Sequence, residues 1–383
     1  MAQNGHQIDR HRPSGACSSL YALTTIIKEL KGELPIIREI ERESTLGYPN
    51  KLHQRPLNFD RLQVRKHTMS EKAPEKLFPI RNFVSDLSTP ILRPTATENG
   101  TNGRLVIVGD VHGMHKSLEA LLNKVAFSKQ NGDHLILVGD LVNKGPDSSS
   151  VVDLAMELGA SAVRGNHDNA VLKAAAEIKA RTENTQSPED PGKATVAESS
   201  EIAPSQETVQ NPDNADKPAS SPKYETASSL STAQLDWLAA LPLILRVKLP
   251  QYQSSTLGDS LIIVHAGLTP GIPLEDQDPH AVMHMRSLVH PPDDETTLTP
   301  AETPGEESWI GEWDKWQEDQ PSKCTVIFGH DAKRRLQLGK YTIGLDSGCL
   351  YGNQLTAVVI AASDSKIEHS IVQVECADTH LVV

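Results

Sequence analysis

Aromatic residues and cysteines are scarce in this chain of 383 residues. Phe, Trp and Tyr together make up 4% of the sequence, which is low for a chain that packs into a core along its whole length. Part of the chain is therefore expected to lie outside any core. The four cysteines, Cys17, Cys324, Cys349 and Cys376, are too widely spaced for a disulfide framework or a paired zinc-binding pattern. Free thiols in a reducing compartment are the simplest interpretation.

The chain also lacks an excess of positive charge and a long apolar run. Its formal net charge is -13, whereas general binding to nucleic acids or to anionic membranes requires clustered Lys and Arg. There is no uninterrupted stretch of about 18 apolar residues, so no membrane span is predicted. The starting sequence MAQNGHQIDRHRPSG has no apolar core of a secretory signal. These absences predict a soluble, cytoplasmic protein that holds any anionic ligand through local cations or metal ions.

Two segments are expected to lie outside the main domain. Residues 1–100 are polar, basic and Pro-containing, with one helical patch from Tyr21 to Glu43, and predict an N-terminal extension that is partly helical or disordered. Residues 177–229 are rich in Ser, Pro, Glu, Asn and Gln and predict a disordered acidic insertion. Residues 101–383 would then form one domain, which this insertion interrupts.

Five short apolar runs each end in a polar cluster that contains glycine or histidine. Their sequences are RLVIVGDVHG, HLILVGD, SAVRGNHD, LIIVHAG and CTVIFGH, with helical or irregular sequence between them. A short apolar run that stops in this way is typical of a buried strand that enters a loop. Met114 to Val125, after the first run, predicts a helix. The alternation of strands and helices predicts an α/β fold.

Two more helices are expected after the acidic insertion. Ser231 or Thr232 can cap the first of them, because a side-chain oxygen at this position accepts a hydrogen bond from the first turn. Trp309, Trp313 and Trp316 are spaced for one face of the second. Core packing of these tryptophans is favoured over stacking on a substrate.

Six residues of metal-ligand type stand just after the apolar runs. They are Asp110 and His112 in GDVHG, Asp140 in GDLVNKGP, Asn166 in RGNHD, His265 in HAG and His330 in GHD. Asp110 and His112 are two residues apart, so in an extended chain their side chains leave on the same side and can share a metal. The two oxygens of Asp140 can bridge two metals about 4 Å apart. Because ligand sites of open α/β sheets gather outside the carboxyl ends of the strands, all six are expected to meet.

A single Asp or His after a strand is usually a turn former or a helix cap, but five such motifs in order do not fit that explanation. The set resembles the calcineurin-like metallophosphoesterases of the phosphoprotein phosphatase superfamily, over Arg104 to Val374. The KGP variant of the second motif and the segment FGHDAKRRLQLGKYTIGLDSGCLYGNQLTAVVI resemble its ApaH-like branch. That branch is related to bacterial symmetrical diadenosine tetraphosphatases and includes a fungal zinc-dependent endopolyphosphatase. The resemblance implies a four-layer α-β-β-α fold, a central β-sandwich flanked by helices.

The resemblance also implies a ligand set and a reaction. Two divalent ions, zinc, manganese or cobalt, would be held by two groups of ligands: Asp110, His112 and Asp140 for the first, and Asp140, Asn166, His265 and His330 for the second. Carboxylate, amide and imidazole ligands also accommodate iron. A hydroxide that bridges the ions would attack phosphorus in line. His167 would donate a proton to the leaving oxygen. No ligand of the family's set is missing from the sequence.

The second motif departs from the superfamily, because it carries Asn143 and Lys144 where the protein phosphatases carry Asp and Arg. The Asp stabilises the charged form of the catalytic His, whereas Asn orients the ring without a negative charge. We therefore expect His167 to be a weaker general acid here. A serine alkoxide needs a proton from such an acid, but a phosphate leaving from an anhydride has a second pKa of only about 6. The sequence thus favours polyphosphate or a nucleotide polyphosphate as the substrate.

Positive charge for the remaining phosphate oxygens is expected from Lys144, Arg164 and Arg286. Lys144 and Arg164 flank ligands, whereas for Arg286 a surface salt bridge is an equal alternative. Two other functions stay open: a Ser/Thr protein phosphatase that uses the same metals, and an inactive metal-bound scaffold whose insertion recruits partners. The sequence identifies no protein partner. Some fungal members of the branch are anchored in the vacuole, so the resemblance and the predicted lack of a membrane span indicate different locations.

Overall fold

The computed structural model describes residues 78–87, 92, 103–185, 221–250, 254–291, 294, 297–305, 308–363 and 366–379. The strands in these ranges are β1 (Val84–Leu87), β2 (Leu105–Val108), β3 (His134–Leu137), β4 (Ser161–Ala162), β5 (Ile244–Lys248), β6 (Ser254–Ser255), β7 (Ser260–Val264), β8 (Ser287–Val289), β9 (Thr299–Ala301), β10 (Cys324–Phe328), β11 (Gln337–Leu338), β12 (Thr342–Gly344), β13 (Gln354–Ala362) and β14 (Lys366–Glu375). The α-helices are α1 (His115–Lys124), α2 (Ser148–Leu158), α3 (Asn166–Thr185), α4 (Pro222–Ser229), α5 (Thr232–Ala240), α6 (Pro279–His284) and α7 (Ile310–Glu318).

Twelve of these strands form two six-stranded sheets. The first sheet has the order β1-β5-β7-β10-β12-β11, the second has the order β4-β3-β2-β13-β14-β6, and β8 and β9 pair separately. In the first sheet β7, β10 and β12 run parallel, and in the second sheet β2, β3 and β4 run parallel. The carboxyl ends of each parallel set therefore lie at one edge of its sheet, and the loops that follow these strands start there.

The two sheets pack face to face. Leu105 and Ile107 of β2 share a buried cluster with Leu261 and Ile263 of β7, so apolar side chains of both sheets fill the space between them. The intervening residue Val106 points the opposite way, into a cluster with α1, α2 and α3. On the outer face of the first sheet, α6 and α7 pack in a third cluster. This four-layer α-β-β-α arrangement confirms the predicted fold class.

The helices form where the sequence supplies an apolar stripe and an end signal. On α1, Leu118, Leu121 and Leu122 are buried at the spacing of one helical face. Of the two residues predicted to cap α5, Ser231 and Thr232, Ser231 is the cap, and it forms a capping box with Gln234. No helix in the described part of the chain is long and apolar enough to cross a membrane.

The tryptophans near α7 pack in the core, as predicted. Trp309 and Trp313 are 1% and 3% exposed and meet edge to face, with ring centroids 6.2 Å apart. The indole of Trp309 also donates a hydrogen bond to the carbonyl of Ala266 at 3.1 Å, which ties the start of α7 to the end of β7. These side chains therefore support the first sheet close to the loop that carries His265.

Ordered structure extends beyond two of the predicted boundaries. β1 lies ahead of residue 101 and pairs in parallel with β5, with Val84 opposite Ile244, so the first sheet begins before the predicted start of the domain. Helices α3 and α4 occupy both ends of the segment predicted as a disordered insertion, 177–229. The Tyr224 hydroxyl of α4 donates to the Glu177 carboxylate of α3, which joins these two helices. Residues 186–220 and the helical patch from Tyr21 to Glu43 lie outside the described residues.

Candidate metal centre

The residues of metal-ligand type all follow the carboxyl ends of parallel strands, in the loops or, for Asn166, at the first residue of α3. Asp110 and His112 follow β2, Asp140 follows β3, Asn166 follows β4, His265 follows β7 and His330 follows β10. Three of these strands belong to one sheet and two to the other, so the site lies where both sheets end. The backbone N–H of His330 donates to Asp110 Oδ1 at 3.1 Å, across 220 positions of sequence. The sandwich therefore brings together groups that are far apart in the chain.

Two groups of buried ligand atoms share Asp140. One group is Asp110, His112 and Asp140, and the other is Asp140, His265 and His330, and the ligand atoms within each group lie within 4.8 Å of one another. His112 Nε2 is 3.5 Å from Asp140 Oδ2, and His265 Nε2 is 3.4 Å from Asp140 Oδ1. Each oxygen of this carboxylate therefore faces a different imidazole, as a carboxylate that bridges two ions requires.

In the second group, three atoms that could bind a metal ion lie close together. His265 Nε2 lies 3.0 Å from Asn166 Oδ1 and 3.1 Å from His330 Nδ1. The other ring nitrogens are held by backbone carbonyls: His265 Nδ1 by Val138 at 3.0 Å, and His330 Nε2 by His284 at 3.1 Å. Each of these bonds places the ring proton on the nitrogen next to the carbonyl, so His265 Nε2 and His330 Nδ1 keep their lone pairs. These two lone pairs face each other and would repel without a proton or a cation between them, so the residues fit a bound metal ion.

The ring of His112 is positioned by its contact with the shared carboxylate. Its Nε2 lies 3.5 Å from Asp140 Oδ2 and is the nitrogen that could bind an ion of the first group. Its Nδ1 is buried and has no hydrogen-bond partner among the described residues.

The ionisation of these groups follows from burial and from their neighbours. Burial would raise the pKa of Asp140, but the charge and hydrogen bond of His265 and the charge of His112 outweigh it and hold the pKa well below its usual range. Burial also lowers the pKa of His112 to about 3. It would lower the pKa of His265 too, but the charge of Asp140 raises it to about 10. A divalent ion next to Asp140 would take the place of that proton.

The backbone of the site adopts conformations that residues with a Cβ rarely take. Positive φ angles occur at His112, Asp140, Asn143, Lys144 and His330. Strain of this kind costs on the order of 1–3 kcal/mol per residue and concentrates at functional sites. Gly165 relieves crowding there, because a Cβ on it would lie 2.2 Å from Asp140 Oδ1. The loops are therefore held in a strained backbone conformation, in which the ligand side chains point towards one another.

His167 lies beside the metal ligands at the start of α3. Its ring nitrogen Nδ1 is 2.9 Å from Asn143 Nδ2, and its Nε2 is 2.8 Å from Lys144 Nζ. Its backbone N–H donates to Asp140 Oδ1 at 2.8 Å, which fixes the residue against the bridging carboxylate. Burial lowers the pKa of His167. The charge of Asp140 opposes this effect but is outweighed by burial, and both side chains in contact with the ring, Asn143 and Lys144, are neutral or cationic.

A cavity of about 690 Å³ opens onto the site, and Lys144, His167 and Arg286 all line it. The Arg286 guanidinium donates to the backbone carbonyl of Glu302 at 3.3 Å, rather than to a carboxylate. Arg286 therefore lies in the cavity wall, and its contact with phosphate stays a prediction.

The structure corrects the prediction that Arg164 binds phosphate. Its side chain is fully buried and donates to the backbone carbonyl of Ala239. A second nitrogen of the guanidinium lies 3.5 Å from the carbonyl of Phe78, and the residue is not part of the cavity wall. Arg164 therefore ties the loop after β4 to the neighbouring elements and takes no part in contact with substrate.

Sequence reasoning missed Asp346, a buried residue that lines the same cavity. Burial raises the pKa of its carboxyl group to about 6. Asp346 stands two residues after β12, as Asp110 stands two residues after β2. That repeated spacing after a parallel strand was the signal that could have identified it. Tyr351, on the short turn Cys349–Tyr351, also reaches the cavity.

A second residue missed from the sequence is Asp168, which is fully buried in the first turn of α3. One of its carboxylate oxygens accepts from the N–H groups of Leu141 and Val142, at 2.9 and 3.2 Å, and the other accepts from Gly165 at 2.9 Å. These bonds join the loop that carries Asp140 to the loop that carries Asn166. Asp168 therefore positions the ligands without being one.

Comparison with known proteins agrees with this geometry. The family model of the calcineurin-like phosphoesterases matches residues 103–360. The chain belongs to this family. It is similar to the zinc-dependent endopolyphosphatase of Saccharomyces cerevisiae, with 27% identity over 323 residues, 79% of this chain and 89% of the relative. It is also similar to the symmetrical bis(5'-nucleosyl)-tetraphosphatase of Vibrio parahaemolyticus, with 27% identity over 299 residues, 66% of this chain and 93% of the relative.

Among solved structures, the chain is similar to a candidate diadenosine tetraphosphatase. The two are 32% identical, with a TM-score of 0.52, over 77% of this chain and 98% of that one. The family match confirms the resemblance stated from the motifs. This calcineurin-like phosphoesterase is a metal-dependent phosphoesterase, and its two buried clusters around Asp140 form the binuclear metal site.

Proposed function

We propose that this phosphoesterase hydrolyses phosphoanhydride bonds of inorganic polyphosphate or of a nucleotide polyphosphate. One observation carries the proposal: the side chains next to the two ring nitrogens of His167 are the amide of Asn143, at 2.9 Å, and the amine of Lys144, at 2.8 Å, and neither is a carboxylate. A carboxylate in place of Asn143 would stabilise the protonated ring and keep its pKa high. Without one, His167 suits a leaving group that needs little help from an acid.

The chemistry is divided between metal ions and the residues of the chain. Asp140 would be shared by two ions, with Asp110 and His112 on one side and Asn166, His265 and His330 on the other. Bound there, the ions would activate water and neutralise phosphoryl oxygens. Carboxylate, amide and imidazole ligands together accommodate zinc, manganese, cobalt or iron.

The side chains around the ions bind and orient the substrate. Lys144 and Arg286 line the cavity, where they would neutralise the remaining oxygens of the reacting phosphate. His167 would face the leaving oxygen and share a proton with it. A departing phosphate chain is a weak base, since its terminal group has a second pKa of about 6. Weak assistance from His167 is then sufficient, whereas a serine alkoxide would require a strong acid.

The relatives support the same class of bond. The Saccharomyces cerevisiae relative is an endopolyphosphatase and the Vibrio parahaemolyticus relative is a bis(5'-nucleosyl)-tetraphosphatase. Both names describe phosphoanhydride substrates. At 27% identity to each, these relatives favour the class without choosing between the two substrates.

The first test is turnover on a panel of substrates. The purified chain is supplied in turn with zinc, manganese, cobalt or ferrous ions and assayed on long-chain polyphosphate, diadenosine tetraphosphate and a phosphoserine peptide. We expect kcat/KM on one of the anhydrides to exceed that on the peptide by roughly a hundredfold, the scale of a general-acid contribution. His167→Ala should lower kcat on the anhydride by about tenfold, less than the full contribution of an acid, because the leaving group is weakly basic.

The other outcomes identify the alternatives. Equal or higher turnover of the phosphoserine peptide, with none on polyphosphate or diadenosine tetraphosphate, would show a Ser/Thr protein phosphatase. Absence of turnover on every substrate, with metal binding demonstrated by calorimetry, would show an inactive scaffold. Unchanged rates for His167→Ala would contradict the role given to this side chain.

A further inference from the structure

Three consecutive basic residues follow the metal ligand His330, and they are used in different ways. Arg334 bonds Asp331 Oδ2 at 2.6 Å. Its other terminal nitrogen donates to the backbone carbonyls of Pro304 and Gly305. Arg334 therefore fixes the loop, and it also neutralises Asp331, a carboxylate in the cavity wall that would otherwise repel an anionic substrate.

Lys333 and Arg335, on either side of Arg334, line the cavity with exposed side chains. In the described part of the chain, no carboxylate pairs with either cation, although Arg334 between them is paired. Both line the cavity that Asp110, Asp140 and His330 also line. In a chain with a formal net charge of -13, the two cations form a local positive region beside a binuclear metal site.

The backbone of Arg335 adds a second, independent observation. Its φ angle is 60°, in the left-handed region that glycine adopts freely and a residue with a Cβ does not. Its N–H donates to the carbonyl of Asp331 at 3.1 Å, which holds the loop in this turn. Glycine would fit the turn better than arginine. Strained residues cluster at functional sites, so the strain at Arg335, which lines the cavity, indicates that its side chain has a function there.

We propose that Lys333 and Arg335 bind phosphates of the substrate chain beyond the phosphoryl group that reacts at the metals. This inference rests on the proposed function. The reacting phosphate is met by Lys144 and Arg286, so the two loop cations are available for its neighbours. Each internal phosphate of a polyphosphate or nucleotide polyphosphate carries negative charge, and a flexible chain of phosphates suits both the point charge of Lys and the fork of Arg.

The two residues are thus specificity determinants and not catalytic residues. They line the same cavity as the metal ligands but belong to neither ligand group. A small phosphomonoester offers only the one phosphate that the metals would hold, whereas a longer substrate has further phosphates for these two cations. Lys333 and Arg335 should therefore lower KM for long substrates and leave the rate of bond cleavage to the metal site.

The test compares Arg335→Gly, Lys333→Ala and the double variant with the wild-type chain. Lys116→Ala is the matched control, because Lys116 is an exposed lysine on α1 outside the cavity wall. Steady-state kinetics are measured on long-chain polyphosphate and on p-nitrophenyl phosphate at two salt concentrations. Each loop variant should raise the ratio of KM for polyphosphate to KM for p-nitrophenyl phosphate by about fivefold to tenfold, which is within the net contribution of one typical hydrogen bond. The effect should shrink at high salt.

Thermal unfolding separates this role from a structural one. Arg335→Gly relieves the positive φ, so its Tm should equal or exceed that of the wild type while its KM for polyphosphate rises. An unchanged KM ratio in both single variants, or the same rise in Lys116→Ala, would overturn the inference and leave the proposed function standing. Absence of polyphosphate turnover in the wild type, with turnover of phosphoserine peptide, would overturn both.

Discussion

Asn143 sets the electrostatic environment of His167, and its replacement tests the proposed preference directly. Asn143→Asp would place a carboxylate about where the amide now lies, 2.9 Å from His167 Nδ1. The negative charge would favour the protonated ring, and one unit of pKa corresponds to about a tenfold change in the charged fraction. We expect the ratio of kcat/KM on phosphoserine peptide to that on polyphosphate to rise by roughly tenfold, measured with both substrates in one buffer.

Asn143→Ala is the control for this change. It removes the contact with His167 without adding charge, so it should lower activity on both substrates by a similar factor. A substrate ratio that Asn143→Asp leaves unchanged, in a protein with wild-type Tm, would show that the preference does not originate at this residue.

Single residues also show how far the sequence could predict the site. The ligands were recognisable because each follows an apolar run and has small neighbours, as with Asp110 and His265. Arg164 has the same context but points elsewhere, since its direction depends on the carbonyls of Phe78 and Ala239, which only the folded chain brings near. Residue type and spacing therefore identify ligands better than they identify the direction of a long side chain.

At the scale of secondary-structure elements, Asp168 joins the start of α3 to the loop after β3. Asp168→Ala would leave the buried N–H groups of Leu141, Val142 and Gly165 without an acceptor. Each such loss costs about 1–3 kcal/mol, so we expect the free energy of unfolding to fall by at least about 3 kcal/mol. Because the loops of Asp140 and Asn166 would also loosen, metal affinity should fall by about tenfold to a hundredfold.

Urea denaturation and metal titration measure the two effects of this change separately. Asp168→Asn is the matched variant, since its side chain keeps one oxygen acceptor and the size of the original. It should show a smaller loss of both stability and affinity. Wild-type metal affinity in a folded Asp168→Ala variant would contradict the positioning role.

Elements with local signals were predictable, and those that depend on distant partners were not. The capping box of Ser231 and Gln234 lies within four residues and marks the start of α5. By contrast, β1 is short and mostly half-buried, and its partner β5 lies about 160 residues further on, where Asp86 pairs with Arg246. Nothing near β1 in the sequence indicates that pairing. The boundary of the sheet therefore could not be placed from local pattern.

At the scale of the whole molecule, the binuclear site joins the two sheets of the sandwich. Asp110, His112 and Asp140 stand on loops of the second sheet, and His265 and His330 stand on loops of the first. An ion shared by Asp140 and His265 would therefore link the two sheets as well as serve catalysis. Burial raises the pKa of Asp110, and the charge of Asp346 adds to that rise, which reflects the cost of keeping these carboxylates together without a cation.

Metal removal should consequently change stability as well as activity. A ligand that binds only the folded state at one hundred times its Kd stabilises that state by about 2.7 kcal/mol. For a domain of this size, that corresponds to roughly 5–10 °C in Tm. We expect EDTA to abolish turnover and to lower Tm by this amount, and re-addition of zinc or manganese to reverse both, as followed by scanning calorimetry.

His265→Ala and Asp140→Asn show whether the shift belongs to this site. His265 is fully buried and Asp140 is 2% exposed, so either substitution can change the Tm of the metal-free protein as well. The quantity to compare is therefore the rise in Tm that added metal causes in each variant and in the wild type, and not the Tm of the metal-free proteins. Loss of the bridging carboxylate in Asp140→Asn should remove most of that change, and loss of one imidazole in His265→Ala should remove part of it. A full metal-dependent shift in both variants would locate the stabilising ion elsewhere in the molecule and would contradict a link between the two sheets through Asp140.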